Sequence, residues 1–448
     1  MNTFLLLIIL MTILLLNFYA NGKNLLAPGV IASSVFTLSV ALVLVDYPYW
    51  KYDVSILTVV LISAAVAFFS VGCLFGKQVK IREYSSGKLE LFIDDRYAYD
   101  LSANVMAIFS LICIGVTAYY FMYQYRLSLS LGNISGILGI VGTIRLNVIS
   151  HPEVYHLGMT LNIGISLLRA IGHLSLFNLC AVLLCKDRHK AKKYVIPVVC
   201  LLIYGILTTG RAPFIGYAVS VIMNVYIIQK KRGVSINEKM IHIVLRSFIA
   251  FMILFWGMGF MTGKGGLTFW DTFSIYLGSS VVCLDNVISK PMIHSSLWGE
   301  NIFVGVYNIL RKIGFLIPAH AMHGDFVYWG EKYSSNVYTS LCPYIRDFGM
   351  LVTILGQLIV GAIFGIAWKK FESNRVEPIF IVIYGRFFGI SLVMYSIAEV
   401  FFSSVLSMNV LVEIFFYFCL WYMYKRKYYF IEDGASKRNM VYVSKGRG

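Results

Sequence analysis

Arginines placed where water is scarce mark the chemistry available to this chain. Arg211 sits in the turn Thr208-Thr209-Gly210-Arg211-Ala212-Pro213, between two apolar runs bracketed by Lys193 and Lys230. The 36 residues between those lysines must supply two crossings and the turn. Helices of about 16 residues reach only ~24 Å at 1.5 Å per residue, short of a ~30 Å hydrocarbon layer. The turn is therefore expected to be recessed, and Arg211 with it. A guanidinium at that depth costs roughly 2.5–3.5 kcal/mol on insertion scales and calls for an anionic partner. Arg169, with His173 one turn later, lies about ten residues inside another run. It is expected either to pair inside the protein, with Glu399 or Glu413, or to line a polar cavity. Arg246 and Arg386 fall near the ends of their runs, where snorkelling accounts for them. Glu399 is also near the end of its run and reads as interfacial.

The remaining reactive side chains lie in a long polar segment. His294 stands alone. His320-x-x-His323-x-Asp325 puts two imidazoles beside a carboxylate, which reads as a hydrogen-bonded surface patch more readily than as a metal site. Asp347, directly before an apolar run, is expected to act as a helix N-cap. No phosphate-binding glycine loop or nucleotide signature is present. Neither a metal nor a cofactor is expected.

These residues sit in a chain with the composition of a membrane protein. Of 448 residues 58% are hydrophobic and only 13% charged, against roughly a quarter charged in soluble domains. Mean hydropathy is +0.75. A soluble enzyme is excluded, and the +16 charge is a matter of topology rather than of nucleic acid. The eight cysteines are scattered without zinc or disulfide spacing. The N-terminal run lacks a basic leader and a cleavage site and reads as a first span.

The fold expected is an all-α polytopic membrane protein, a single integral membrane domain over 1–448. About eleven spans are expected, at 3–20, 25–45, 54–75, 101–121, 160–184, 194–208, 212–229, 241–262, 347–368, 378–398 and 404–424. The loops on one side carry 25 Lys and Arg, those on the other nine, so the N-terminus is placed outside and the C-terminal tail in the cytoplasm. Two external regions follow, 122–159 and the long loop 263–345. The long loop holds two apolar stretches, Phe273–Ile288 and Asn301–Ala319. The second carries Arg311 and Lys312 at its middle, a pattern for a helix that lies in the interface or dips back. Chemistry is expected at the outer face.

Three motifs carry a family resemblance. Leu207-Thr208-Thr209-Gly210-Arg211 resembles a Thr-Gly-Ser-Arg hairpin. Asn336-Val337-Tyr338-Thr339, followed by Asp347-Phe348-Gly349, resembles an Asn-x-Tyr-Thr…Asp-Phe-Gly segment leading into the next span. His294-x10-Gly305 fits a looser pattern. With the many spans and one long external loop, the chain resembles the bacterial O-antigen polymerases (Wzy-type oligosaccharide repeat-unit polymerases). The earlier loop departs from the pattern, with His156 where the Arg145-x10 spacing would end on glycine.

The resemblance implies a GT-C-like glycosyltransferase architecture in the bacterial cytoplasmic membrane, acting at its periplasmic face on undecaprenyl-diphosphate-linked oligosaccharides. The growing glycan would be transferred to the non-reducing end of a new repeat. Membrane lipids, a flippase and a chain-length regulator are the partners implied. Arg211 would clamp the leaving diphosphate, with Arg169, Arg311 and Arg346 as further candidates. His294, His320, His323 and Asp325 are the external groups that could supply a base. Asn336, Tyr338 and Asp347 would take part in substrate binding. In the related O-antigen ligases a histidine precedes the Asn-x-Tyr; here Ser335 stands there, which leaves the base unassigned. A ligase or other lipid-linked glycosyltransferase is the alternative, and a flippase or transporter a further one.

Overall fold

The computed structural model describes residues 1–80, 92–93, 96–97, 101–133, 135–150, 157–185, 188–233, 268–290, 295–317, 325–330, 333–373 and 376–423, with four single residues between 246 and 257. It is helical almost throughout: α1 (Asn2–Ala20), α2 (Pro28–Val45), the single turn α3 (Tyr47–Trp50), α4 (Ile56–Gln78), α5 (Ala103–Ser130), α6 (Ile140–Ser150), α7 (Met159–Leu184), α8 (Arg188–Leu207), α9 (Ala212–Lys231), α10 (Phe269–Ser289), α11 (Val304–Lys312), α12 (Leu341–Glu372), α13 (Pro378–Val393), α14 (Phe401–Val405) and α15 (Met408–Met423). A two-stranded hairpin, β1 (Val327–Trp329) and β2 (Tyr333–Ser335), precedes α12.

Among the described residues eight helices are long and apolar enough to cross a membrane: α1, α2, α4, α5, α7, α9, α10 and α12. The chain is a multi-pass membrane protein. The expected span at 194–208 forms the apolar part of α8, whose first turns carry Arg188, Lys190, Lys192 and Lys193. The expected span at 241–262 lies almost wholly outside the described residues. The last two expected spans are shorter than foreseen, since α13 and α15 have 16 residues each.

Basic side chains gather at one end of the bundle. Lys230 pairs with Glu372, Lys231 donates to the Ser373 carbonyl, Arg232 to Leu184 O at 2.7 Å and Lys369 to Val79 O at 2.9 Å. The 46–55 segment, the Arg211 turn and the β hairpin occupy the opposite end, as alternate crossings require.

The expected interfacial stretch at 273–288 is helix α10, which by length and composition could cross. Its contacts place it differently. Trp270 Nε1 donates to Asp46 Oδ1 (2.9 Å), and a Cβ on Gly278 would touch Trp50, Leu42 and the Ser39 carbonyl. Near the other end Asp285 accepts from the Tyr52 hydroxyl (2.6 Å), the Ser55 amide and hydroxyl and the Thr58 hydroxyl. All of these partners lie toward the 46–55 end of α2 and α4. Helix α10 dips among those helices and returns to the end it came from.

The tightest packing joins α4 to α12, which run parallel. A Cβ on Gly72 would lie 2.1 Å from Leu358 O, on Gly76 2.1 Å from Ala362 O, on Gly361 2.0 Å from Phe69 O and on Gly365 2.2 Å from Cys73 O. Two Gly-x-x-x-Gly pairs thus set backbone against backbone. This is how membrane helices associate when the solvent is as apolar as leucine. Gly356, also on α12, meets nothing within 4 Å. Gly361→Val should therefore force the helices apart and destabilise the protein by at least ~1–3 kcal/mol, read as a fall in detergent melting temperature. Gly356→Ala should leave it unchanged or slightly higher.

Candidate functional site

Between α13 and α15 the chain does not form a helical hairpin at the membrane edge. Residues 394–407 are largely irregular, with only the short α14 inside them, and they lie below the rim. Ser396 Oγ accepts from Ser39 Oγ at 2.9 Å, and Ser39 is six residues short of the end of α2. Ser166, seven residues into α7, donates to Asn409 O at 3.0 Å. Both contacts put the segment roughly 10 Å inside the helix ends. Irregular backbone at such depth is tolerated only where protein surrounds it or where it lines a cavity. A cavity is there, about 540 Å³ in volume, walled by Glu399, Ser403 and Ser404 of this segment, Tyr276 of α10, Arg346 of α12 and Asn336, Tyr338 and Thr339 of the long loop.

The hairpin delivers the loop residues. Val327 pairs with Ser335 and Trp329 with Tyr333, and Trp329 packs edge-on against Trp50 (ring centroids 5.3 Å apart). Ser335 is buried, accepting from Ser279 Oγ (2.8 Å) and the Val337 amide (3.1 Å). The position before Asn336 is thus tied into α10 and is not part of the cavity lining. The chain then turns Asn336 and Tyr338 into the cavity wall. The Tyr338 hydroxyl donates to Asp325 O at 2.7 Å, and the Arg346 guanidinium lies 5.2 Å from the centre of its ring, a cation–π arrangement. Burial pushes the Tyr338 phenol up to about 12. Thr339 is fully buried, and its hydroxyl has no hydrogen-bond partner among the described residues.

The Asp347-Phe348-Gly349 motif braces this wall. Asp347 does not cap a helix N-terminus as expected, because helix α12 begins six residues earlier. Its carboxylate accepts instead from Ser295 Oγ (2.5 Å), Asn301 Nδ2 (2.7 Å) and the Asn301 and Ile302 amides, fastening the 295–302 loop. Phe348 packs on Trp298 (5.2 Å). Gly349 has φ +74° and ψ 177°, which only glycine adopts readily, and breaks the helix there.

Arg211 is half-buried in its turn, within electrostatic range of Tyr276 and Arg145. Burial lowers its pKa from that of a free guanidinium, with Arg145 pushing the same way and Tyr276 the opposite way. Tyr276 is a cavity wall residue, while Arg211 itself is not part of the cavity lining. Two residues before it, Thr209 is buried with φ +60°, a left-handed conformation that is a real outlier for a β-branched residue and of the kind found at ligand-binding turns.

Arg169 belongs elsewhere. Its Nε lies 3.1 Å from Glu413 Oε2, while Arg386 Nε donates to Glu413 Oε1 at 3.2 Å and Tyr417 OH to the same oxygen at 3.3 Å. Glu413 is wholly buried. Of the two partners expected, Glu413 is the real one. Arg386 is no snorkelling residue; it sits on a π-helical turn (Tyr384–Gly389) that aims it at Glu413. Arg311 is also away from the cavity, donating to Ile317 O and Asn308 Oδ1 at 3.0 Å near its own helix. Asp325 lies outside the cavity lining, but its carbonyl accepts from the Tyr338 hydroxyl and its exposed carboxylate is within electrostatic range of that phenol. His294, His320 and His323 lie outside the described residues.

The structure therefore brings together Asn336, Tyr338 and Arg346, with Asp325 bonded to Tyr338 outside the lining and Arg211 within electrostatic range of Tyr276, and separates Arg169 and Arg311 from them. It adds Glu399, Thr339 and Tyr276. Glu399 was expected at the interface, where one span ends; what the sequence did not show is that the break lies below the rim and beside a cavity. No protein-family model, curated protein or solved structure matches the chain.

The Arg169–Glu413–Arg386 cluster joins α7, α13 and α15. Removing its single anion leaves two buried cations uncompensated, and such changes cost about 3–5 kcal/mol. Glu413→Gln should lower the yield of folded protein and its melting temperature in detergent. Arg126→Ala, at an exposed site on α5, should change neither.

Proposed function

We propose that the chain polymerises undecaprenyl-diphosphate-linked oligosaccharide repeats for O-antigen or capsule synthesis, as the resemblance implies. The observation that supports this best is the arginine-edged polar cavity built around a broken helix pair, at the end of the bundle away from the basic loops. By the positive-inside rule that end faces away from the cytoplasm, which in the bacterial cytoplasmic membrane that the resemblance implies is the periplasmic face. A flippase would deliver the repeats there, and a chain-length regulator would act on the product. Both substrates carry a lipid tail in the outer leaflet and a glycan in water, so the site has to be recessed and amphipathic.

Transfer breaks the bond between the donor sugar and its diphosphate. Charge develops on the departing oxygen, and fixed guanidinium groups in a water-poor site stabilise it. Arg211 is the first choice for the fork that grips two phosphate oxygens in parallel, with Arg145 nearby adding positive field and Arg346 on the far side of Tyr276. Asn336 and Thr339 offer hydrogen bonds to sugar hydroxyls, and Tyr338, steadied by Arg346, offers a stacking face. Arg169 and Arg311 take no part in the reaction. An O-antigen ligase is the weaker reading, since the position of its histidine is the packed Ser335.

The test is the lipid-linked glycan ladder, normalised to membrane-inserted protein. Arg211→Ala should stop chain growth at the single repeat. Arg211→Lys keeps the charge but loses the fork and should reduce growth by about a hundredfold. Arg126→Ala should give a full ladder. Full-length ladders from Arg211→Ala would remove this arginine from the reaction, and lipid-linked repeats that stay on the cytoplasmic face on deletion of the chain would point to a transporter.

A further inference from the structure

The transfer needs a base for the acceptor hydroxyl, and neither a histidine nor Asp325 lines the cavity among the described residues. We infer that Glu399 is that base. The inference rests on the polymerase reading above. Glu399 stands on the irregular segment, in the wall of the cavity that also holds Arg346, Tyr338 and Thr339. Its oxygens accept from the backbone amides of Phe402 (2.9 Å) and Ser403 (2.8 Å), one each. A carboxylate has about four acceptor positions, so each oxygen keeps capacity for a further donor. The two amides fix the carboxylate in one orientation, as a positioned base requires.

In the step assigned to it, Glu399 takes the proton of the acceptor hydroxyl as that oxygen bonds to the anomeric carbon of the donor glycan. The bond from that carbon to the diphosphate oxygen breaks, and the electron pair leaves with the diphosphate toward the arginines. The carboxylic acid formed on Glu399 returns its proton to water once product departs. The charged and titratable groups around Glu399 are Tyr344, Arg346 and Cys342 of α12, Tyr276 of α10 and Tyr338 of the long loop. A carboxylate fixed by two amides beside the cavity is placed to take the acceptor's proton without reorienting.

A merely structural Glu399 would cap α14 and do nothing else. The two roles separate in one experiment. Purified full-length protein in detergent is given lipid-linked repeats extracted from a strain lacking this chain, and polymer is measured across pH. Glu399→Gln retains an acceptor oxygen for the cap. It should melt within a few degrees of wild type yet polymerise about a hundredfold or more slowly. The wild-type rate should fall as pH drops through the carboxyl's pKa, and the residual rate of Glu399→Gln should lack that fall. Glu399→Asp, also a good cap, withdraws the carboxylate from the cavity. It should be at least about tenfold slower with the acid limb retained, which gives a second reading should Glu399→Gln fail to fold. Rates within about threefold of wild type in either folded variant overturn the inference and leave Glu399 a cap. A wild-type protein that makes no polymer from those repeats overturns the polymerase reading instead.

Discussion

An unpaired backbone N–H or C=O in hydrocarbon costs several kcal/mol, and residues 394–407 are where this protein meets that constraint. Two 16-residue helices, α13 and α15, are each about 24 Å long and stop short of the rim. The chain between them is held by specific contacts: Ser340 N donates to Tyr395 O (3.1 Å), Tyr395 OH to Gln357 Oε1 (2.6 Å), and Glu399 takes up the α14 amides. The space above the segment is filled from the side by α10, α11 and the β hairpin. What remains open is the cavity. The recess sets a few polar side chains, Asn336, Arg346 and Glu399 among them, in a wall that also carries Val304, Pro343, Met394 and Ile397, a mixture suited to a lipid-linked sugar.

Two other devices keep the recess in place. The Gly-x-x-x-Gly contacts lock α12 to α4 in one register, so the start of α12, with Arg346 and Asp347, is fixed at the cavity. The Arg169–Glu413–Arg386 cluster pins α15 to α7 and α13 below it. Its net charge is positive in the middle of the bundle, and its role is to hold helices whose upper halves are missing. Asp285 does the same work above, binding α10 to the start of α4.

Part of this was legible in the sequence. A buried carboxylate partner for Arg169 followed from the cost of leaving that arginine alone. A break between the last two spans was expected at 399–403, but not its extent or depth: residues 394–407 contain neither glycine nor proline, and nothing in the sequence marked that both helices stop short of the rim. Helix α10 was ambiguous for a related reason: a dipping helix and a crossing one share length and composition, and only Trp270 and Asp285, reaching partners near the same end, distinguish them. The Gly-x-x-x-Gly pairs were in plain view, but a spacing of small residues does not name its partner helix. Asp347 was misplaced as a cap because the helix begins earlier and resumes after Gly349.

The central claim is that the lipid-linked glycan reacts in the recess over residues 394–407. A photoreactive amino acid at Ser404, on the cavity wall, tests it directly. Irradiated in membranes charged with labelled lipid-linked repeats, this protein should acquire a glycan-bearing adduct. The same probe at Ala107, in an apolar surface groove toward the basic end beside Lys193, should acquire none. Adducts at Ala107 with none at Ser404 would contradict the account.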